Sequence, residues 1–153
     1  MEYSLLVAIS VTLLFIAYQD FRSREFYWFL APTVFVLGVT KGILVVNIKY
    51  WAIITSINVL IIIITFTALF IYFLVTKKSS TSIRDLIGTG DVLLLVSLTG
   101  LVLPKTYIML ILSSSLVAIV FQLMVKTRFG NRIPFAGWLS VMAIFFLIFE
   151  HIK

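Results

Sequence analysis

Two aspartates stand where a carboxylate is costly and where it could do chemistry. Asp91 lies in residues 86–95, LIGTGDVLLL, between a glycine-rich break and a long apolar run, and Asp20 closes the first apolar run in IAYQDFRSR. Two carboxylates close enough to share a proton cannot both ionise easily, so one stays protonated while the other acts as base. That division of labour suits aspartyl proteolysis: the ionised partner activates a water and the protonated one polarises the scissile carbonyl. Such a pair titrates as one coupled unit.

Each aspartate also has a plainer reading. Asp91 follows a glycine and precedes an apolar run, as a helix N-cap does. Asp20 could be an interfacial charge paired with Arg22 or Arg24. Gly88 and Gly90 lower helix propensity and permit close backbone approach. The segment before Asp91 could then open and offer backbone hydrogen bonds to an extended substrate, a form of strand addition.

Other chemistries find less support. The chain has no cysteine, which removes disulfides, thiol nucleophiles and cysteine metal sites. A single histidine, His151, argues against zinc chemistry, and the absence of HExxH leaves an intramembrane metalloprotease unsupported. GTGDVL is not a dinucleotide fingerprint, because Leu93 occupies the third glycine position and no βαβ context surrounds it. A Ser/His/Asp triad would need His151, expected at the opposite membrane face from Asp20 and Asp91. Neither metal nor cofactor is expected.

The elements that must position these residues follow from composition. The chain has 153 residues, 62% apolar and 12% charged, with a mean hydropathy of +1.19. A water-soluble core cannot absorb that much apolar surface. Uncharged runs cover residues 3–19, 26–40, 50–76, 92–104, 106–125 and 133–149, which are six candidate membrane spans. A crossing helix needs about 20 residues. The second run reaches that length by continuing through Lys41, whose long side chain can snorkel.

The fourth run, 92–104, would give only about 20 Å of helix at 1.5 Å per residue. A full crossing that ends at Pro104 should therefore begin near Asp85, which would bury Asp91 up to roughly 9 Å inside the boundary. Pro104-Lys105 reads as the tight turn before the fifth span. Pro134, after Asn131-Arg132-Ile133, reads as a proline in the first turn of the last helix. Ser113, Ser114, Ser115 and Ala118 read as small residues that let the fifth span approach a neighbour.

The net charge of +6 comes from residues scattered through short loops, which argues against a nucleic-acid surface. With the N-terminus outside, the inner loops hold Arg22, Arg24, Lys77, Lys78, Arg84, Lys126, Arg128 and Arg132, and the outer ones hold Lys41, Lys49, Lys105 and Lys153. Eight against four places both termini outside by the positive-inside rule. The first run has no basic region before it and no small-residue cleavage site after it, so it reads as a retained span. No linker long enough to separate two folded units interrupts residues 1–153, which predicts one domain. The expected fold is an all-α membrane protein, a bundle of six transmembrane helices.

At this point the residues resemble a known family. Asp20-Phe21-Arg22-Ser23-Arg24 resembles the DxRxR stretch of the type IV prepilin peptidases and archaeal preflagellin peptidases, which are GxGD-type intramembrane aspartyl proteases. Gly88-Thr89-Gly90-Asp91 matches GxGD, and Ile133-Pro134-Phe135 resembles the IPF stretch opening the last span. The resemblance implies an aspartic endopeptidase of the cell membrane that cleaves leader peptides from pilin, pseudopilin or preflagellin precursors at the cytoplasmic face. It assigns Asp20 and Asp91 as the catalytic pair, with Gly88, Gly90, Arg22, Arg24 and Pro134 as supporting motif residues. The implied partners are prepilin-like membrane proteins and the lipid bilayer.

The chain departs from the family at Leu93, where a lysine is common, and at Phe26-Tyr27-Trp28, where proline and asparagine are usual. It also lacks the cysteine-containing insertion of larger members, so peptidase activity without methyl transfer is expected. Outside this family, the readings to weigh are a small multi-pass transporter, a membrane scaffold, or a degenerate homologue that binds leaders without cutting.

Overall fold

The computed structural model describes residues 2–76, 88–124 and 134–152. Among them are six helices: α1 (Glu2–Ser23), α2 (Leu30–Val46), α3 (Ile48–Thr76), α4 (Thr89–Leu98), α5 (Pro104–Met124) and α6 (Phe135–Ile152). The described residues contain no other regular structure, in line with the all-α expectation. Helices α1, α3 and α5 are long and apolar enough to cross a membrane; α2, α4 and α6 are apolar but shorter. The polar stretch 77–85 and Lys126, Arg128, Arg132, Ile133 and Lys153 lie outside the described residues.

Each helix buries one stripe and leaves large apolar side chains on its outer face. On α1 the fully buried positions are Ile9, Leu13 and Ile16, and the next step of the same spacing is Asp20. On α4 they are Leu94 and Leu98, and the preceding step is Asp91. Residues three and four apart share one helix face, so both carboxylates are carried inward by the stripes that form the core. The core is one cluster that takes Ile16, Val34, Ile62, Leu94, Tyr107 and Leu139 from the six helices. On α5, Ser114 and Ala118 are buried as small-residue packing requires, and the Ser114 hydroxyl donates to its own helix at Leu110 (2.7 Å).

Contacts fix the directions of the helices. Asp20 at the end of α1, Gly88 at the start of α4 and Gly137 at the start of α6 meet at one end, where Phe121 near the end of α5 packs against Trp138 with the ring planes tilted by 60°. Gly42, Trp51, Gly100, Thr106 and Glu150 meet at the other. Neighbouring helices therefore alternate in direction. As expected, α2 continues through Lys41; it ends only where Asn47 adopts φ 90°, outside the helical region.

The fourth segment differs from expectation. Gly88 is extended, with φ −62° and ψ 132°, so no single helix runs from near Asp85 to Pro104. Helix α4 has 10 residues, about 15 Å at 1.5 Å per residue, and Asp91 lies in its first turn rather than deep within a helix. The turn expected at Pro104-Lys105 lies instead at 99–103, and Pro104 is the first residue of α5, where its missing N–H costs little.

That turn is largely buried, so its carbonyls need partners. The Asn58 side chain, fully buried on α3, donates to the carbonyls of Thr99 (2.7 Å) and Val102 (2.8 Å). The Trp51 indole donates to Gly100 (2.9 Å), and the Tyr107 hydroxyl donates to Leu95 (2.9 Å) in the last turn of α4. Non-helical backbone among apolar helices is tolerated where protein or water covers it. Here α3 and α5 supply the cover.

Candidate active site

The two carboxylates meet at the N-terminus of α6. A helix start leaves its first four N–H groups without intrahelical acceptors and carries a partial positive charge. Pro134 supplies the carbonyl that accepts the Trp138 N–H (3.3 Å), so it flanks the helix rather than sitting inside its first turn. The Gly137 N–H donates to Asp20 Oδ2 at 2.6 Å. The Asp91 carboxylate takes hydrogen-bonding interactions from the amides of Ala136 and Gly88. Ala136 and Gly137 are consecutive, with Cα atoms about 3.8 Å apart, and the charge of Asp20 acts on Asp91.

Asp91 therefore caps in a different way from the N-cap expected of it. Gly88 is the N-cap of α4, and Asp91, three residues on, reaches back to the Gly88 amide as an N3 acid does in a capping box. A Cβ on Gly88 would lie 2.9 Å from Asp91 Oδ2, so glycine is what lets the carboxylate fold over its own helix start. Gly90 is helical and faces Phe26, whose ring edge would be 2.9 Å from a Cβ there.

Asp20 is buried at 6% exposure and Asp91 is partly exposed, so the pair opens to its surroundings on the Asp91 side. Of the two arginines expected beside Asp20, Arg24 is the one whose charge acts on it. Its backbone N–H donates to the Asp20 carbonyl (2.9 Å) with φ 59°, the left-handed residue that ends α1. Arg22 turns the other way: it donates to the Tyr18 hydroxyl (2.7 Å) and lies over that ring. Leu93 is 37% exposed, two residues from Asp91 and on another face of α4.

Three positions to which the sequence assigned no site role help to hold the pair. Gly137 is the most direct, since its amide holds Asp20. Phe26 braces the loop after α1 against α4, and that loop is folded back by the Tyr27 N–H donating to Gln19 Oε1 (3.1 Å). Asn58 holds the turn behind α4. The available signals were a glycine in the first turn of an apolar helix and one amide inside an apolar run.

A Cβ on Gly137 would lie 3.2 Å from Asp20 Oδ2 and 3.1 Å from the Phe21 ring. Gly137→Ala is thus expected to push Asp20 off the amide. Misplacing a reacting group by an ångström can cost about 10²-fold in rate, so any reaction that the pair carries out is expected to slow by about 10- to 100-fold, with a smaller change in melting temperature. Turnover and melting curves on the same preparation check this.

The described residues contain no group of three or more His, Cys, Asp or Glu able to hold a metal. No protein-family model, curated protein or solved structure matches the chain.

Proposed function

We propose that this chain is a membrane-embedded aspartyl endopeptidase that removes leader peptides from prepilin-like precursors at the cytoplasmic face of the cell membrane, without methyl transfer. The observation that carries the reading is the convergence of Asp20 and Asp91, from separate helices, on consecutive amides of α6. The GxGD, DxRxR and IPF resemblances support it, since Asp20, Asp91 and Pro134 come from those three stretches. In this reading the short helices complete a six-span bundle with both termini outside. The alternating helix directions agree with that, and Arg22 and Arg24 share the carboxylate end.

In the proposed reaction the ionised aspartate takes a proton from water as the water oxygen attacks the scissile carbonyl carbon. The protonated aspartate donates to the carbonyl oxygen. Collapse of the tetrahedral species breaks the C–N bond, and the amine leaves with a proton from the pair. The α6 amides hold the ionised carboxylate with donors already in place, which limits reorganisation during the reaction.

A second reading has its own observation: carboxylates on a helix N-terminus stabilise that terminus without any catalysis. The protein would then be a scaffold, or a transporter using the same groups to move protons. Reconstitution in liposomes with a prepilin-like precursor and an internal pH dye separates these readings. Cleavage without proton flux is expected. Proton flux with an intact precursor would favour the transporter, and neither activity would favour the scaffold.

A further inference from the structure

At the end of the bundle opposite the carboxylates, a cavity of about 320 Å³ opens between α2, α3, α6 and the 99–103 turn. Its walls are mainly apolar, with Val45, Trp51, Leu101 and Leu103 among them, yet it holds one cation, Lys41, and one carboxylate, Glu150. Among the described residues these two form no ion pair with each other, and the Lys41 ammonium has no hydrogen-bond partner. Glu150 commits Oε1 to the Thr106 hydroxyl (2.5 Å), which fixes the carboxylate at the rim and leaves Oε2 for another donor.

One wall of the cavity is rigid. The Trp51 indole is pinned to the Gly100 carbonyl, and it fits only because residue 42 is glycine: a Cβ there would lie 2.1 Å from the ring. Lys49 and Lys105 stand at this same end, which marks it as a polar boundary of the bundle.

Opposite charges that line one small apolar cavity without neutralising each other present complementary poles to a group carrying both an anion and a cation. A singly charged anion would leave Glu150 facing it, and a singly charged cation would leave Lys41. Both groups are partly withdrawn from water, where an ion partner offsets the cost of lost hydration. We propose that this cavity binds the phosphoethanolamine headgroup of a membrane lipid, with phosphate on Lys41 and ammonium on Glu150. The adjoining chain lies along Val45, Leu101 and Leu103. The site is separate from the carboxylate pair and does not depend on the peptidase reading.

Native mass spectrometry of the detergent-solubilised full chain tests this with short-chain phosphatidylethanolamine, short-chain phosphatidylglycerol and free phosphoethanolamine as probes. The wild-type chain is expected to retain one phosphatidylethanolamine in preference to phosphatidylglycerol. Lys41→Gln should weaken that binding about tenfold or more. Glu150→Gln should shift the preference toward phosphatidylglycerol, because only the ammonium partner is lost. Both variants nearly preserve side-chain volume, and their melting temperatures show whether they fold. Equal retention of the two lipids by wild type, or binding indifferent to both substitutions, overturns the proposal. Free phosphoethanolamine binding as tightly as the lipid overturns the lipid assignment.

Discussion

Asp91→Asn is expected to lower precursor cleavage by about 10²- to 10⁴-fold, the range lost when a positioned acid or base is removed, while the bundle stays folded. Asp20→Asn should do the same. Asparagine is nearly the same size and is itself a good cap for a helix start. It can still accept from the Gly137 or Ala136 amide, yet it cannot take up or deliver the proton. The substitution therefore separates the two readings of the carboxylates: a scaffold tolerates asparagine and a catalyst does not. In the proposed reaction the pair acts as one unit, so the double variant should be little worse than either single one, as groups that share a task are strongly non-additive. Cleavage rates with reconstituted precursor, beside melting curves for each variant, give the comparison.

The largest effect on stability is expected away from the carboxylates, at Asn58. Asn58→Leu keeps the approximate volume but leaves the Thr99 and Val102 carbonyls without their donor inside the bundle. Each orphaned buried acceptor costs about 1–3 kcal/mol, and Thr99 and Val102 are both buried. Removing both partners of a buried hydrogen bond can be almost neutral, but here the backbone carbonyls remain. At about 2–4 °C per kcal/mol for a chain of this size, a clear drop in melting temperature should follow. A second consequence is displacement of α4 and with it Asp91, so the proposed precursor cleavage should fall as well. A leucine variant that melts with wild type would show that the turn is held by other means.

The carboxylate pair was legible in the sequence because short local stretches carry it: an aspartate ending one apolar run and another after Gly88-Thr89-Gly90. The helical periodicity that turns both inward was also present, in Ile9, Leu13 and Ile16 before Asp20 and in Leu94 and Leu98 after Asp91. What stayed hidden was the break in the fourth segment. VLLLVSLTGLVLP is uncharged throughout and mostly apolar, and hydropathy cannot distinguish a continuous helix from a short one followed by a covered turn. Thr99-Gly100 and Pro104 were the local turn signals, but the groups that make the turn tolerable, Trp51 and Asn58, lie 41 to 49 residues away.

The same holds for Gly137. It joins Asp20 across 117 residues of chain, and nothing near either residue announces that contact. Arg22 and Arg24 illustrate a smaller failure of the same kind. Spacing alone made them equal candidates to accompany Asp20, and the helix end decides between them: Arg24 lies just past the last turn in the left-handed region, while Arg22 still points outward from α1 toward Tyr18.

The intact mass of a prepilin-like precursor, co-expressed with this chain and purified, tests the proposed activity most directly. With wild type the precursor should lose its leader and show a single new N-terminus, and with either Asp20→Asn or Asp91→Asn it should keep its full mass. A full-length precursor beside the wild-type chain, or a shortened one beside either asparagine variant, would contradict the assignment of Asp20 and Asp91 as a catalytic pair.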